Sequence, residues 1–129
     1  MKTGLVSISF RKLSPIEIID LVKKSGLESI EWGGDVHVQP GELALAEEIG
    51  CRTREAGLEV ACYGSYCRLT SPDEFSAIIA TAKALGAPLI RVWAGRQGSA
   101  DCTLKKRTEI VQNARLLAEL AAQEHWYCL

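Results

Sequence analysis

Glu31 sits at the end of an expected strand, between Ile30 and Trp32, where a carboxylate is costly unless it is paired or used. Two roles are open to it: an ion pair with Arg91, or the orientation of a hydroxyl group or a neighbouring base. Other side chains of chemical interest stand at similar points along the chain: Ser9 and Arg11, then Asp35 and His37, then Tyr63, Ser65 and Tyr66, then Trp93, Arg96 and Asp101. His37 lies in a glycine-rich segment and reads either as a solvent-exposed residue or as a ligand. Trp32 is expected to pack under helices and Trp93 to form one wall of a sugar pocket. The expected substrate contacts are Glu31, His37, Tyr63, Tyr66, Trp93 and Arg96.

Several chemistries are excluded. No glycine-rich phosphate cradle is present, since Gly95-Arg96-Gln97-Gly98 has the wrong spacing, and no serine-hydrolase or thiol-protease pattern occurs. Histidine occurs only at His37 and His125, so a two-histidine metal site would need two distant residues together, and none is expected. Five cysteines are an odd, widely spaced set, which predicts reduced thiols in a cytoplasmic protein; Cys62 and Cys67 match no zinc knuckle. A net charge of −1 leaves no surplus of Lys and Arg for a nucleic-acid backbone. Lys105-Lys106-Arg107 reads as the solvated first turn of a helix. No secretory signal and no bilayer-spanning run is read.

The elements that must position these residues follow one rhythm. A helix-like segment runs out at a glycine and an apolar strand begins, at Gly26-Leu27, Gly57-Leu58 and Gly86-Ala87. Strands are expected at Leu5 to Phe10, Glu28 to Trp32, Leu58 to Tyr63 and Leu89 to Trp93. Ser14-Pro15-Ile16-Glu17 is a capping box with proline at the first helical position, and Ser71-Pro72-Asp73-Glu74 nearly repeats it. The first helix carries Ile16, Ile19, Leu21 and Val22, the second (Glu42 to Ala56) Leu43, Ala46, Ile49 and Gly50, and the fourth, from about Thr103, Ile110, Ala114, Leu117 and Ala121. The class is α/β: four consecutive βα units on one parallel sheet, with function expected at the strand C-terminal ends. Such a sheet either opens into a small doubly wound domain of flavodoxin type or curves into half of a (β/α)8 barrel, whose full length is about 250 residues.

The phrases Glu28-Ser29-Ile30-Glu31-Trp32-Gly33-Gly34-Asp35-Val36-His37-Val38, Ala56-Gly57-Leu58-Glu59-Val60 and Ala84-Leu85-Gly86-Ala87, with Ile90-Arg91-Val92-Trp93-Ala94-Gly95, resemble the sugar phosphate isomerase/epimerase family of xylose isomerase-like TIM barrels. The resemblance spans residues 4 to 125 and implies the N-terminal half of that barrel. It implies a divalent metal (Mn, Mg, Co or Zn) that polarises a sugar carbonyl, and carboxylates that move a proton between adjacent carbons. The metal ligands of such enzymes come chiefly from strands five to eight, so no metal ligand is expected in this chain. A related branch that cuts abasic DNA carries zinc-binding histidines where Tyr63 and Trp93 stand here, and neither side chain replaces an imidazole.

The expectation is therefore a half-barrel over 1–125 that supplies substrate-wall residues for a sugar or polyol and is inactive alone. Completed by a second half, it would isomerise or epimerise a sugar or sugar phosphate, or dehydrate a related polyol. The tail 126–129, where a glycine and a fifth strand are due, reads as the scar of a truncation. The alternative is a non-catalytic assembly module, a homodimer that hides two exposed sheet edges and an apolar inner face.

Overall fold

The chain is described by a computed structural model that covers residues 2–123 and the backbone of 127–128. Five parallel strands lie side by side in sequence order: β1 (Gly4–Val6), β2 (Ser29–Gly33), β3 (Glu59–Gly64), β4 (Leu89–Arg91) and β5 (Tyr127–Cys128). Helices α1 (Pro15–Lys24), α2 (Leu43–Glu55), α3 (Phe75–Leu85) and α4 (Leu104–Gln123) connect them. Sequential order without reversal is how a sheet begins to close into a barrel; a doubly wound sheet needs a reversal of strand order. No described helix is long and apolar enough to cross a membrane.

The glycine junctions form because each helix must end in a left-handed residue. Gly26, Gly57 and Gly86 have φ of 74°, 80° and 73°. In each case the glycine N–H and the next N–H fold back onto the last turn: Gly26 to Lys23 O and Leu27 to Val22 O, Gly57 to Arg54 O and Leu58 to Thr53 O, Gly86 to Lys83 O and Ala87 to Ala82 O. The chain leaves each of these turns already aimed into the next strand.

The first capping box forms in full: Ser14 Oγ accepts from Glu17 N, and Glu17 Oε2 accepts from Ser14 N at 2.7 Å. The second does not. Ser71 Oγ donates to Asp73 Oδ2 at 2.6 Å and accepts from Asp73 N, so the hydroxyl is captured two residues on and α3 starts only at Phe75. The first strand is also shorter than the pattern predicts, because Ser7 to Phe10 turn into a 3-10 helix. Ser7 Oγ accepts from Gly33 N at 2.9 Å, a side-chain bond that replaces strand pairing beyond Val6. On α1, Ile18 is fully buried and Ile16 is 46% exposed, and Leu43 of α2 is exposed as well. At the other end, Tyr127 and Cys128, within the tail 126–129, pair with Leu89 and Ile90 as β5.

The apolar core lies between sheet and helices: Ile30, Trp32, Val60, Tyr63 and Ile90 of the strands pack with Ile18, Val22, Ile49, Phe75 and Ile78 of the helices. Side chains alternate along a strand, so the opposite, concave face carries Gly4, Val6, Ser29, Glu31, Gly33, Cys62, Gly64, Leu89 and Arg91. The inner face expected to be apolar is thus a mixed one, with the Glu31–Arg91 pair set among small and apolar residues.

Candidate functional site

Parity and register bring Glu31 and Arg91 together across an intervening strand. Gly33, Gly64 and Arg91 are successive partners in the ladder, and Glu31 is two residues before Gly33, on the same face. Arg91 Nε and Nη2 both reach Glu31 Oε1, at 2.7 and 2.6 Å. The bridge passes over Gly64, where a Cβ would stand 2.7 Å from Glu31 Oε1 and 2.9 Å from Arg91 Nη2. A glycine inside a strand marks such a close approach, a signal that supports the ion pair with Arg91 already open from the sequence. The pair is partly desolvated, with the two side chains 18% and 33% exposed. Glu31 holds the Arg91 guanidinium above its ordinary pKa, and burial with the Glu31 charge pushes the neighbouring Cys62 thiol up to about 11.

An aromatic wall adjoins the pair. Tyr66 and Trp93 have ring centroids 6.4 Å apart, and the Arg91 guanidinium lies 6.0 and 5.7 Å from their centroids. Arg68 lies 5.1 Å over Trp93. The loops carrying this wall are joined through their backbones: Trp93 N donates to Cys67 O at 2.8 Å, Gly95 N to Arg68 O at 3.0 Å, and Ser65 Oγ to Arg91 O at 2.9 Å. Tyr66 and Leu69 adopt left-handed φ of 59° and 57°, a conformation costly to non-glycine residues and held here by those bonds. Arg11 joins from the first loop, with Nη2 2.5 Å from Asp35 Oδ2 and 3.4 Å from the Tyr66 hydroxyl.

The six expected contacts therefore separate. Glu31, Tyr66 and Trp93 converge, with Arg91, Arg68 and Arg11 as residues the sequence reading did not place among the contacts. Arg96 lines an adjoining groove beside Trp93. Tyr63 is fully buried and its hydroxyl donates to Val38 O at 2.8 Å; burial raises its pKa. His37, read as exposed or as a ligand, is 5% exposed, with Nδ1 3.0 Å from Ser7 Oγ and Nε2 3.2 Å from Leu13 O. Both ring nitrogens are thus engaged within the protein. Leu13 O can only accept, so Nε2 carries a proton toward it, and burial lowers the pKa of the ring.

A resident metal does not fit these residues. No three His, Cys, Asp or Glu side chains converge among the described residues, and the Glu31 oxygen nearest the wall is bonded to Arg91.

No protein-family model matches the chain. It is 30% identical, over a 142-residue alignment, to a 3-dehydroshikimate dehydratase of Bacillus anthracis, covering 100% of this chain and 50% of the relative. Among solved structures, the probable 3-DHS dehydratase of petrobactin synthesis from Bacillus anthracis superposes with a TM-score of 0.81 at 29% identity, over 100% of this chain and 51% of that one. A putative xylose isomerase from Rhodospirillum rubrum gives 0.77 at 21% identity, over 98% and 52%. The 3-keto-D-glucoside 4-epimerase of E. coli gives 0.71 at 18% identity, over 99% and 54%. The chain thus spans about half the length of the relatives it matches.

Proposed function

From a chain with the fold of one half of a xylose isomerase-like TIM barrel, we propose that it forms the substrate-orienting wall of a barrel acting on a small polyhydroxylated carbonyl compound. The observation that carries this reading is the Glu31–Arg91 bridge beside Tyr66 and Trp93 at the strand C-terminal ends. Arg91 keeps the carboxylate fixed and leaves its other oxygen to accept from a substrate hydroxyl. Tyr66 and Trp93 present faces to the apolar side of a ring. Arg11, Arg68 and Arg91 outnumber Glu31 and Asp35 around this wall, which favours a ring bearing a carboxylate over a neutral sugar. A cyclic keto acid of the kind named for the Bacillus relative is the leading substrate class, and dehydration the leading reaction.

The groups that move the proton, and any divalent metal, we assign to strands this chain does not contain. Three free cysteines among the described residues, Cys51, Cys62 and Cys102, support a reducing compartment such as the cytoplasm. The test is to titrate the chain with 3-dehydroshikimate and with xylose, following fluorescence, and to assay dehydration with and without EDTA. The expected result is a Trp93-dependent change with the keto acid, a weaker one with xylose, and no turnover. EDTA-sensitive turnover by the chain alone, or binding unchanged in Trp93→Ala and Glu31→Gln, would overturn the reading.

A further inference from the structure

We propose that the groove between the β4–α4 loop and the first turns of α4 binds a phosphate group carried by a small organic ligand. The groove encloses about 540 Å³, and its lining includes Arg68, Trp93, Arg96, Ser99 and Arg107 and no Asp or Glu. That volume is of the size that holds a small metabolite. A recess of about 170 Å³ adjoins it through Arg96 and adds Lys106 and Glu109. Across both spaces four cations face one carboxylate, in a chain whose net charge is −1. The positive charge is therefore concentrated in one concave place, where a low-dielectric wall strengthens its field.

The cations are held rather than scattered. Arg107 Nη2 donates to Ser99 O at 3.0 Å, Lys106 Nζ donates to Gln97 Oε1 at 3.0 Å, and Arg68 lies over Trp93. Arg96 makes no hydrogen bond or ion pair among the described residues, so its forked donors are left for a ligand. Guanidinium forks match the geometry of phosphate oxygens and bind them in pairs. A phosphate monoester carries about −1.5 to −2 charges and three acceptor oxygens, more than a carboxylate offers to three arginines. Trp93 adds an exposed indole face for the organic part, 42% exposed. The spacing Gly95-Arg96-Gln97-Gly98 differs from a nucleotide-type phosphate loop because side chains, not backbone N–H groups, supply the donors here. This site does not depend on the reaction proposed for the Glu31–Arg91 wall.

The experiment follows the backbone amides of residues 95–99 by NMR while ribose 5-phosphate, ribose and inorganic phosphate are titrated at fixed ionic strength. The expected result is saturable shifts with ribose 5-phosphate, none with ribose, and weaker binding of inorganic phosphate at the same residues. Arg96→Gln is expected to weaken the phosphate ester about fivefold or more. Its unfolding midpoint should stay unchanged, because Arg96 has no hydrogen-bond or ion-pair partner among the described residues to lose. Shifts that never saturate, or that persist unchanged in an Arg96→Gln/Arg107→Gln variant, would overturn the proposal. Equal affinity for inorganic phosphate and ribose 5-phosphate would overturn its organic part and leave a site for the free ion. The groove shares Trp93 and Arg68 with the wall but not Glu31, and the wall lacks Arg96 and Arg107; Glu31→Gln should leave phosphate-ester binding unchanged and Arg96→Gln should leave keto-acid binding unchanged, so failure of either reading is told apart from failure of the other.

Discussion

Replacing Gly64 by alanine tests the central geometry, because two opposing effects meet at one methyl group. In a strand, alanine is favoured over glycine by about 0.5–1 kcal/mol through the unfolded chain it restricts. Against this, the new Cβ would stand 2.7 Å from Glu31 Oε1 and 2.9 Å from Arg91 Nη2, where ordinary contact begins near 3.4 Å. Both ends of the bridge must retreat by about half an ångström or more, and bonds of 2.6–2.7 Å do not survive that movement intact. Hydrogen bonds to charged groups contribute about 1.5–3 kcal/mol, and water reaching two side chains 18% and 33% exposed restores part of the loss. The net expectation is a destabilisation of about 1–2 kcal/mol, read as a lower urea midpoint at constant slope. In a Glu31→Ala background the nearer clash is gone, and the same substitution should become neutral or stabilising. A Gly64→Ala chain as stable as the parent, or an equal cost in both backgrounds, would refute the reasoning.

Three further expectations follow from other parts of the molecule. Gly50→Ala should gain about 1 kcal/mol in helix propensity and still lose stability by about 2–3 kcal/mol, because its Cβ would lie 2.1 Å from the Leu85 backbone oxygen, which has no rotamer to escape into; thermal unfolding reads the sign. Burial depresses the His37 pKa in the folded chain, so its neutral form contributes stability that is present above about pH 6.5 and lost as pH falls through the folded pKa. Urea midpoints measured between pH 5 and pH 7 should therefore fall on acidification more steeply for the parent than for His37→Gln, and parallel profiles would remove the effect. Light scattering should find a homodimer if the β1 and β5 edges pair with a second copy, and a monomer at high concentration would dispose of that reading.

The features legible in the sequence were those fixed by a few adjacent residues. Gly26, Gly57 and Gly86 were readable because a left-handed helix end needs glycine wherever it occurs, and Ser14 with Glu17 because their partners are three residues apart. Ser71 had the same neighbours and failed, since Asp73 offered a nearer acceptor that periodicity does not weigh. Glu31 and Arg91 were readable as a pair because strand order and alternation place them on one face. His37 was not, because its burial depends on Ser7, thirty residues earlier, leaving the sheet to meet it. Tyr63 and Tyr66 look alike in sequence, yet strand parity sends one under the helices while a left-handed backbone turns the other toward Trp93.

The charged pair on the concave face constrains whatever completes this sheet. In a filled barrel the interior is packed by bulky branched side chains, but here the described inward positions include Gly4, Ser29 and Gly64 beside Glu31 and Arg91. An apolar partner laid on them would strip the remaining water from a carboxylate that has only one oxygen paired, and such desolvation costs more than the added contact returns. The completing surface must therefore bring hydrogen-bond donors, or leave water or a hydroxylated ligand, opposite Glu31. Self-association of two concave faces meets that requirement only where Glu31 falls opposite the second copy's Arg91, and fails where it falls opposite a second Glu31 or the small residues. The requirement permits edge pairing, which leaves the face open, and it makes the bridge with its aromatic wall a place where a polar ligand is better accommodated than a protein core.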